Sequence, residues 1–293
     1  MSYVANPRLR LFVGAILISF SPVWVKLVSV SATTSGFYRV AIGGAALALF
    51  LAASGRRFAF SKRSWQMLVA AVVFFALDLW FFHRSINYVG PGLATLLSNF
   101  QVFFMMLAGT LLLQQPPRLL QVIAVPLALF GLGLIVGFDW TELPGDYRVG
   151  IVFGLLTALM YAGYMLTMRE ARRDSTDPLP ACEVAFVSLG SALLLGLSAV
   201  VEGESLMIPR LADAAWLLSY GVFSQCLGVL LIASSLRRVS TTEVGIALLL
   251  QPTLSFCWDV LFFNRQMTVV ELTGAAITLA AIYLGSRGGS KQI

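Results

Sequence analysis

Charged residues are scarce in this sequence of 293 residues, where they make up 12% of the chain against 58% hydrophobic residues. A soluble domain carries roughly 25% charged residues and about 45–50% apolar ones. A globule of this size cannot bury such an excess of apolar surface, so part of that surface must contact lipid. The composition therefore excludes a soluble enzyme, a disordered chain and a fibrous repeat.

Cysteine and histidine are also rare, with three cysteines and one histidine in the whole chain. Cys182, Cys226 and Cys257 all lie in apolar runs, and their odd number argues against a disulfide framework. A single histidine, His83, argues against a histidine-ligated metal centre. We therefore expect no cofactor and no metal.

Long apolar segments dominate what is present. A membrane-crossing helix needs about 20 mostly apolar residues, whereas barrel strands alternate and span about 10 residues. Ten segments satisfy the helical requirement: 9–29, 34–54, 65–84, 90–111, 118–137, 147–168, 181–201, 212–232, 241–262 and 269–287. We predict an all-α integral membrane protein with ten transmembrane helices.

The lysines and arginines predict how these helices are oriented, since cytoplasmic loops carry an excess of both. If the N-terminus is cytoplasmic, the cytoplasmic side holds Arg8, Arg10, Arg56, Arg57, Lys62, Arg63, Arg118, Arg169, Arg172, Arg173, Arg237, Arg238, Arg287 and Lys291. The opposite side holds only Arg84, Arg148, Arg210 and Arg265. Both termini are therefore predicted to be cytoplasmic. The net charge of +6 then reflects topology and not nucleic-acid binding.

The two halves of the chain resemble each other. An offset of 150 residues aligns Gln101 with Gln251, Gln114 with Asn264, and Gln121 with Glu271. We predict two five-helix units, residues 1–140 and 141–293. Because five is odd, the second unit must be inverted relative to the first. Inverted repeats around a central cavity are typical of alternating-access carriers.

Several motifs are similar to those of the drug/metabolite transporter superfamily, in its EamA-like ten-helix branch. They are Trp24 and Lys26 late in the first helix, Arg39 early in the second, Gln251-Pro252 in the ninth, and Glu271 with Gly274 in the tenth. Within that superfamily the chain most resembles the YddG-type exporters of aromatic amino acids. The resemblance implies an exporter in the inner (plasma) membrane of a bacterium.

Two departures from the family pattern bear on coupling. Family members often carry proline in the fourth helix and glutamate at the ends of the fourth and ninth helices. Here Gln101-Val102, Gln114 and Asn264 occupy those places. A proton-coupling role for those glutamates therefore does not carry over.

Charged residues within the spans are candidates for gating or coupling, because a charge inside a membrane is costly and usually functional. The set is Lys26, Arg39, Asp78 and Glu243. We hypothesise that Arg39 pairs with Asp78 and shapes a vestibule. Lys26 lies close enough to a span end to reach the interface by snorkelling, which is the alternative to a functional role. His83 and Arg84 read as an interfacial pair.

Polar and aromatic residues inside the spans predict the substrate site. The candidates are Trp24, Asp78, Trp80, Ser98, Asn99, Gln101, Tyr161, Tyr164, Gln225, Gln251, Ser255 and Trp258. Each residue alone is better explained by helix packing. Together they predict a cavity with aromatic walls, which suits a small amphiphile such as an aromatic or neutral amino acid. We expect a small molecule and membrane lipids as partners, with no nucleic acid, and a monomer is compatible with this pattern.

Three other functions stay open at this point. A carrier of the same fold could remove organic cations, which aromatic walls also bind. A membrane-embedded lipid-modifying enzyme would need clustered acid, base or nucleophile, and the sequence shows no such cluster. A channel would favour rings of like residues. Nothing in the spacing decides between facilitated movement and proton coupling through Asp78, Glu243 or His83.

Overall fold

The computed structural model describes residues 6–55, 60–114, 116–173, 175, 179–235, 238–239 and 241–286. Within those ranges the regular structure is helical. The helices are α1 Pro7–Ser19, α2 Ser21–Leu27, α3 Ala32–Ala53, α4 Lys62–Val89, α5 Pro91–Ser98, α6 Gln101–Leu113, α7 Leu119–Val136, α8 Gly145–Ala171, α9 Ala181–Val201, α10 Leu211–Ser219, a π-helix Tyr220–Gly228, α11 Val229–Ser235, α12 Thr241–Phe263 and α13 Val269–Ser286.

Ten of these helices, or runs of consecutive helices, are long and apolar enough to cross a membrane. In order they are α1 with α2, α3, α4, α5 with α6, α7, α8, α9, α10 with the π-helix and α11, α12, and α13. We number them spans 1 to 10. The prediction of a ten-span, all-α membrane protein is confirmed.

The spans alternate between two ends of the bundle. We call the end at which α1 begins the terminal face, and the end that holds residues 28–31 and 202–210 the loop face. Five of the basic residues used to predict the orientation, Arg56, Arg57, Arg237, Arg287 and Lys291, lie outside the described residues. Which face is cytoplasmic therefore stays a prediction.

Packing between the spans follows a twofold pattern. α4 packs on α8, and its counterpart under exchange of the halves is the packing of α1 on α11 and the π-helix. α3 packs on the π-helix, as α4 packs on α9. Exchange of the two halves leaves three further packed pairs unchanged, because each pair joins a span to its own counterpart. These pairs are α3 with α9, α5 with α12, and α7 with α13.

Local geometry repeats at the aligned positions as well. Gln114 after α6 and Asn264 after α12 both take the left-handed conformation with φ of 51°, a common way to end a helix. At the next helix starts, the Gln121 Oε1 atom accepts from the Arg118 N–H at 3.0 Å and the Glu271 Oε2 atom accepts from the Thr268 N–H at 2.7 Å. The same capping arrangement thus recurs 150 positions apart.

Glycines let α7 and α13 approach closely. A Cβ added to Gly274 would lie 2.5 Å from the Gly131 carbonyl oxygen, and one added to Gly131 would lie 2.7 Å from the Gly274 oxygen. Small residues at such interfaces are the usual means of close helix packing in membranes. Large apolar side chains on the far side of α7, such as Leu129 and Phe130, are exposed and suited to lipid.

Two spans are broken along their length, and a third contains a wider, underwound π-helical segment. Span 1 breaks at Phe20, span 4 breaks at residues 99–100, and span 8 contains the π-helix. The hydroxyls of Ser224 in the π-helix and Ser255 in α12 donate to carbonyls of α1. Their acceptors are the carbonyl oxygens of Leu17 and Ser19, at 2.9 and 3.1 Å. Broken helices and π-helical turns inside membrane proteins occur frequently where a ligand binds.

Candidate functional site

A buried hydrogen-bonded cluster joins α3 to the π-helix and α9. The Arg39 guanidinium donates from Nε to Gln225 Oε1 at 3.0 Å and from Nη1 to the Tyr220 hydroxyl at 2.9 Å. Gln225 in turn donates from Nε2 to the Ser188 hydroxyl at 3.0 Å. Arg39 and Gln225 were candidates from the sequence, whereas Tyr220 and Ser188 were missed because a lone Tyr or Ser within an apolar run carries no signal of its own.

His83 extends this cluster into α4. Its Nε2 atom lies 3.2 Å from the Tyr220 hydroxyl, and its Nδ1 atom lies 2.7 Å from the Leu79 carbonyl oxygen. Because that hydroxyl already accepts from Arg39, its proton is free to point at Nε2, which places the ring proton on Nδ1. The interpretation of His83 as an interfacial residue is wrong, since its side chain is fully buried.

Asp78 lies near the middle of α4 and is buried. Among the described residues, no hydrogen bond or ion pair reaches its carboxylate. The Arg39 charge acts on Asp78 through space, but the expected direct Arg39–Asp78 pair is not formed, because Tyr220 and Gln225 hold the guanidinium instead. The Asp78 carboxylate and the Arg39 guanidinium are therefore near each other without forming an ion pair.

Two tyrosines of α8 form a wall beside this carboxylate. The rings of Tyr161 and Tyr164 lie 5.5 Å apart, and the Tyr164 ring stacks on Phe75 at 4.6 Å. Asp78 interacts electrostatically with both tyrosines. One turn earlier in α8, the buried Thr157 hydroxyl has no hydrogen-bond partner among the described residues. The structure thus brings together Asp78, Arg39, Gln225, Tyr161 and Tyr164.

A second group of the predicted residues lies where span 1 meets α12. Five aromatic rings stack in sequence there, with centroids 4.5 to 5.9 Å apart: Trp216, Trp24, Phe20, Trp258 and Phe262. Trp258 Nε1 donates to the Ser19 hydroxyl at 3.0 Å, and the Ser255 hydroxyl donates to the Ser19 carbonyl. The buried Trp24 Nε1 atom has no partner among the described residues.

The predicted polar patch of span 4 lies at its break. Ser98 and Asn99 both donate their side-chain hydrogens to the Thr95 carbonyl at 2.8 Å, so these two residues stabilise the broken backbone. Gln101 opens α6, and its buried Oε1 atom has no partner in the described part of the chain. Its counterpart Gln251, in α12, is partly exposed.

Three of the predicted residues lie at the ends of the bundle. Trp80 donates from Nε1 to Glu202 Oε1 at 2.7 Å on the loop face, where Lys26 also donates to the Asn87 carbonyl at 3.4 Å. Glu243 forms an ion pair with Arg8 at the terminal face. The structure does not bring these residues next to Asp78.

Glu202, which follows α9, is the centre of the largest polar contact on the loop face. Its carboxylate accepts from Ser198 at 2.7 Å, Trp80 at 2.7 Å and Thr33 at 2.9 Å, and it pairs with Arg84 at 2.6 Å. Burial alone would raise the pKa of this carboxyl, but the three hydrogen bonds and the Arg84 charge outweigh burial and lower it to about 2. The sequence analysis did not select Glu202, because three of its four partners, Trp80, Thr33 and Arg84, lie more than 100 positions away.

Comparison with known proteins defines the family. The sequence profile of the EamA-like transporter family matches residues 9–137 and 148–287. The chain belongs to that family. This EamA-like transporter is also similar to a solved crystal structure, with a TM-score of 0.68 over 95% of both chains at 16% identity, a likeness that shows the fold alone.

Relatives of this EamA-like transporter are named as transporters. A protein of Pseudomonas aeruginosa, named pseudopaline exporter CntI, is 25% identical over 86% of this chain and 84% of its own length. An uncharacterized transporter of Archaeoglobus fulgidus is 27% identical, and the match spans only 56% of either chain. The family and the ten apolar spans make this protein a multi-pass membrane transporter.

Proposed function

We propose that this EamA-like transporter exports small zwitterionic metabolites by alternating access, with aromatic or neutral amino acids as its substrates. In this proposal it lies in the inner membrane of a bacterium, with its terminal face in the cytoplasm. The excess of lysine and arginine in the segments that the sequence assigns to the side of the N-terminus supports this orientation.

The observation that carries the substrate class is the separation of Asp78 from Arg39. A zwitterion offers an ammonium group and a carboxylate on one small molecule, and two separately held opposite charges complement both groups. The tyrosine wall of Tyr161 and Tyr164 beside Asp78 supplies an aromatic surface. Such rings bind an apolar side chain by contact and an ammonium group by cation–π attraction.

Unpartnered polar atoms support a ligand between the spans. The buried polar atoms without a hydrogen-bond partner among the described residues are Ser21 Oγ, Trp24 Nε1, Ser35 Oγ, Gln101 Oε1 and Thr157 Oγ1. Leaving such an atom unsatisfied costs about 1–3 kcal/mol each. A polar substrate that enters between spans 1, 2, 4 and 6 would satisfy some of them.

The proposed motion is a rocking of two units, residues 1–140 and 141–293, about this site. The twofold packing pattern and the matched caps at Gln114 and Asn264 support the division. Inverted units give two conformations of similar structure, one open to each side of the membrane.

Counterflow in proteoliposomes tests the proposal. Vesicles loaded with unlabelled L-phenylalanine are expected to accumulate the labelled compound transiently. D78N should lower the rate at least tenfold, because it removes the charge that receives the ammonium group. D139N is the matched control, since Asp139 is an exposed loop residue. Equal rates for D78N and the wild type would contradict the role of Asp78, and absence of counterflow for every amino acid would contradict the substrate class.

The same assay separates a zwitterion carrier from an organic-cation carrier. Phenethylamine has the ring and ammonium group of phenylalanine but no carboxylate. If Arg39 binds the carboxylate, phenethylamine should compete at least tenfold less well than phenylalanine. Equal or stronger competition would favour organic cations as substrates.

A further inference from the structure

Four carboxylates are buried within the described part of the chain: Asp78, Glu183, Asp213 and Asp259. Three of them have an arginine partner. Glu183 pairs with Arg172 at 2.9 Å, Asp213 with Arg210 at 3.1 Å, and Asp259 with Arg265 at 3.2 Å. Asp78 has no such partner, although it lies deeper along its helix than the other three. The three paired carboxylates are each neutralised by an arginine, whereas the Asp78 carboxylate has no direct ion pair or hydrogen bond among the described residues.

The groups around Asp78 make no direct ion pair or hydrogen bond with its carboxylate in the described part of the chain, although the Arg39 charge acts on it through space. From α3, Arg39 directs Nε and Nη1 at Gln225 and Tyr220. From α4 itself, His83 has both ring nitrogens in hydrogen bonds. The hydroxyl of Tyr220 in the π-helix is shared between Arg39 and His83.

From α8, Tyr161 and Tyr164 present rings and hydroxyls without formal charge. A buried carboxylate without a counter-ion is costly in a low-dielectric interior, and it persists only when something neutralises it. A proton or a ligand cation satisfies this condition equally well.

We propose that the Asp78 carboxylate binds a proton and the ammonium group of the substrate in turn, so that the transporter exchanges one proton for each substrate molecule. This inference rests on the proposed function for its substrate class. When the ammonium group binds, Asp78 releases its proton to the solvent on that side. When the substrate leaves on the opposite side, the carboxylate takes a proton from there and the site returns neutral. One zwitterion moves out and one proton moves in, so each cycle carries one positive charge inward.

Proton release on binding is the direct test. The full chain in detergent and weak buffer, with a pH-indicator dye, should release about one proton per bound L-phenylalanine. D78N should release none. D78E keeps a carboxylate and should restore release even if its affinity differs, whereas D139N should behave as the wild type. Release that persists in D78N, or no release from a wild type that binds phenylalanine, would overturn the proposal.

Transport against a gradient tests the coupling. In proteoliposomes without a membrane potential, a pH difference of one unit should drive about tenfold accumulation of phenylalanine at one proton per substrate. D78N should show no accumulation above equilibrium. Wild-type counterflow without pH-driven accumulation would overturn the exchange and leave the carrier function standing.

An infrared measurement keeps the two proposals separable. The protonated carboxyl group has its own C=O band, and the wild-type spectrum minus that of D78N should contain one such band in the substrate-free protein. If phenylalanine is not transported at all, the proposed substrate class fails, and this band alone decides the proton site. Absence of the band would overturn the proton site.

Discussion

Replacing Glu202 by glutamine should loosen the loop face. The Glu202 Oε1 atom accepts from Trp80 and Ser198, and the Oε2 atom accepts from Thr33 and Arg84. The variant keeps one acceptor oxygen but turns an NH₂ group toward one of these two pairs of donors, and it removes the charge that Arg84 pairs with. Hydrogen bonds to a charged group are each worth about 1.5–3 kcal/mol. The Glu202 side chain is 25% exposed, and solvent screens such contacts. We therefore expect a net loss of about 1–2 kcal/mol, which raises the open population about 5- to 30-fold.

Alkylation of Cys226 measures this opening. Cys226 is buried in the π-helix next to Gln225, so a maleimide reaches it only when the bundle opens. In a background where Cys182 and Cys257 are serine, E202Q should raise the alkylation rate about 5- to 30-fold.

The matched control is E204Q, two positions further along the same loop. Glu204 accepts a hydrogen bond from the Ser31 hydroxyl and has a smaller set of partners than Glu202. The rate in E204Q should rise less than about threefold, because glutamine keeps an acceptor oxygen for the Ser31 hydroxyl and only the charge assistance of one hydrogen bond is lost. Equal rates in E202Q and E204Q would refute the assignment of Glu202 as the principal contact of the loop face.

The same contact predicts a pH dependence. The pKa of Glu202 is lowered from 4.5 to about 2 in the folded protein. A lowered folded pKa stabilises the protein fully above the unfolded value, and this stabilisation is lost as the pH falls toward the folded value. The difference in melting temperature between wild type and E202Q should therefore be constant above about pH 5 and should shrink between pH 4.5 and 2. A difference that does not change with pH would contradict the charge-based explanation.

Two further substitutions test the interior. Y220F leaves Arg39 Nη1 and His83 Nε2 without their shared hydroxyl and should destabilise the protein by about 2–3 kcal/mol in thermal unfolding, since both groups are buried. G274A forces a methyl group within 2.5 Å of the Gly131 oxygen and should cost about 1–3 kcal/mol in the same measurement.

Each substitution has a control. Y38F removes a hydroxyl that donates to the Leu206 carbonyl at a partly exposed position, and it should cost about 1 kcal/mol or less. G145A adds a methyl group where nothing lies within 4 Å and should be nearly neutral. If Y220F unfolds no earlier than Y38F, the buried chain through Tyr220 is not a stabilising element. If G274A matches G145A, α7 and α13 separate at little cost.

The fold could be predicted because its determinants are local. Each span is a run of apolar residues, and the offset that pairs Gln114 with Asn264 and Gln121 with Glu271 is visible in the sequence. The structure adds identical conformations at two of these positions. The break at Phe20 was not predicted, because it depends on Ser224 and Ser255 of distant spans, which donate to the carbonyls of α1. The break at residues 99–100 was not predicted either, although Ser98 and Asn99 of the same span stabilise it.

The candidate site could be predicted only in part. Asp78 and Arg39 are conspicuous as charges within spans, so the sequence alone selects them. Their partners are uncharged residues such as Tyr220 and Ser188, which look like any other residue of an apolar helix. Sequence reasoning therefore expected the two charges to pair with each other, whereas the surrounding spans supply neutral partners for Arg39.

In the proposed alternating-access cycle, differences between the two halves would decide which conformation is favoured, since inverted units alone would make the two conformations alike. α9 ends at Glu202 and its charged contacts, whereas its counterpart α3 ends at Ser54, whose hydroxyl donates to the Phe50 carbonyl of its own helix. Among the described residues, the ion pairs that join the two halves at the terminal face involve Arg8 and Arg63, which are 69% and 56% exposed, and such pairs contribute about 1 kcal/mol or less. The less exposed pair of Arg172 with Glu183 at that face lies within the second half and does not join the halves. Arg84 at the loop face is only 16% exposed. The loop face is thus held closed more firmly than the terminal face, so the resting carrier should open toward its terminal side, and E202Q should reduce that preference.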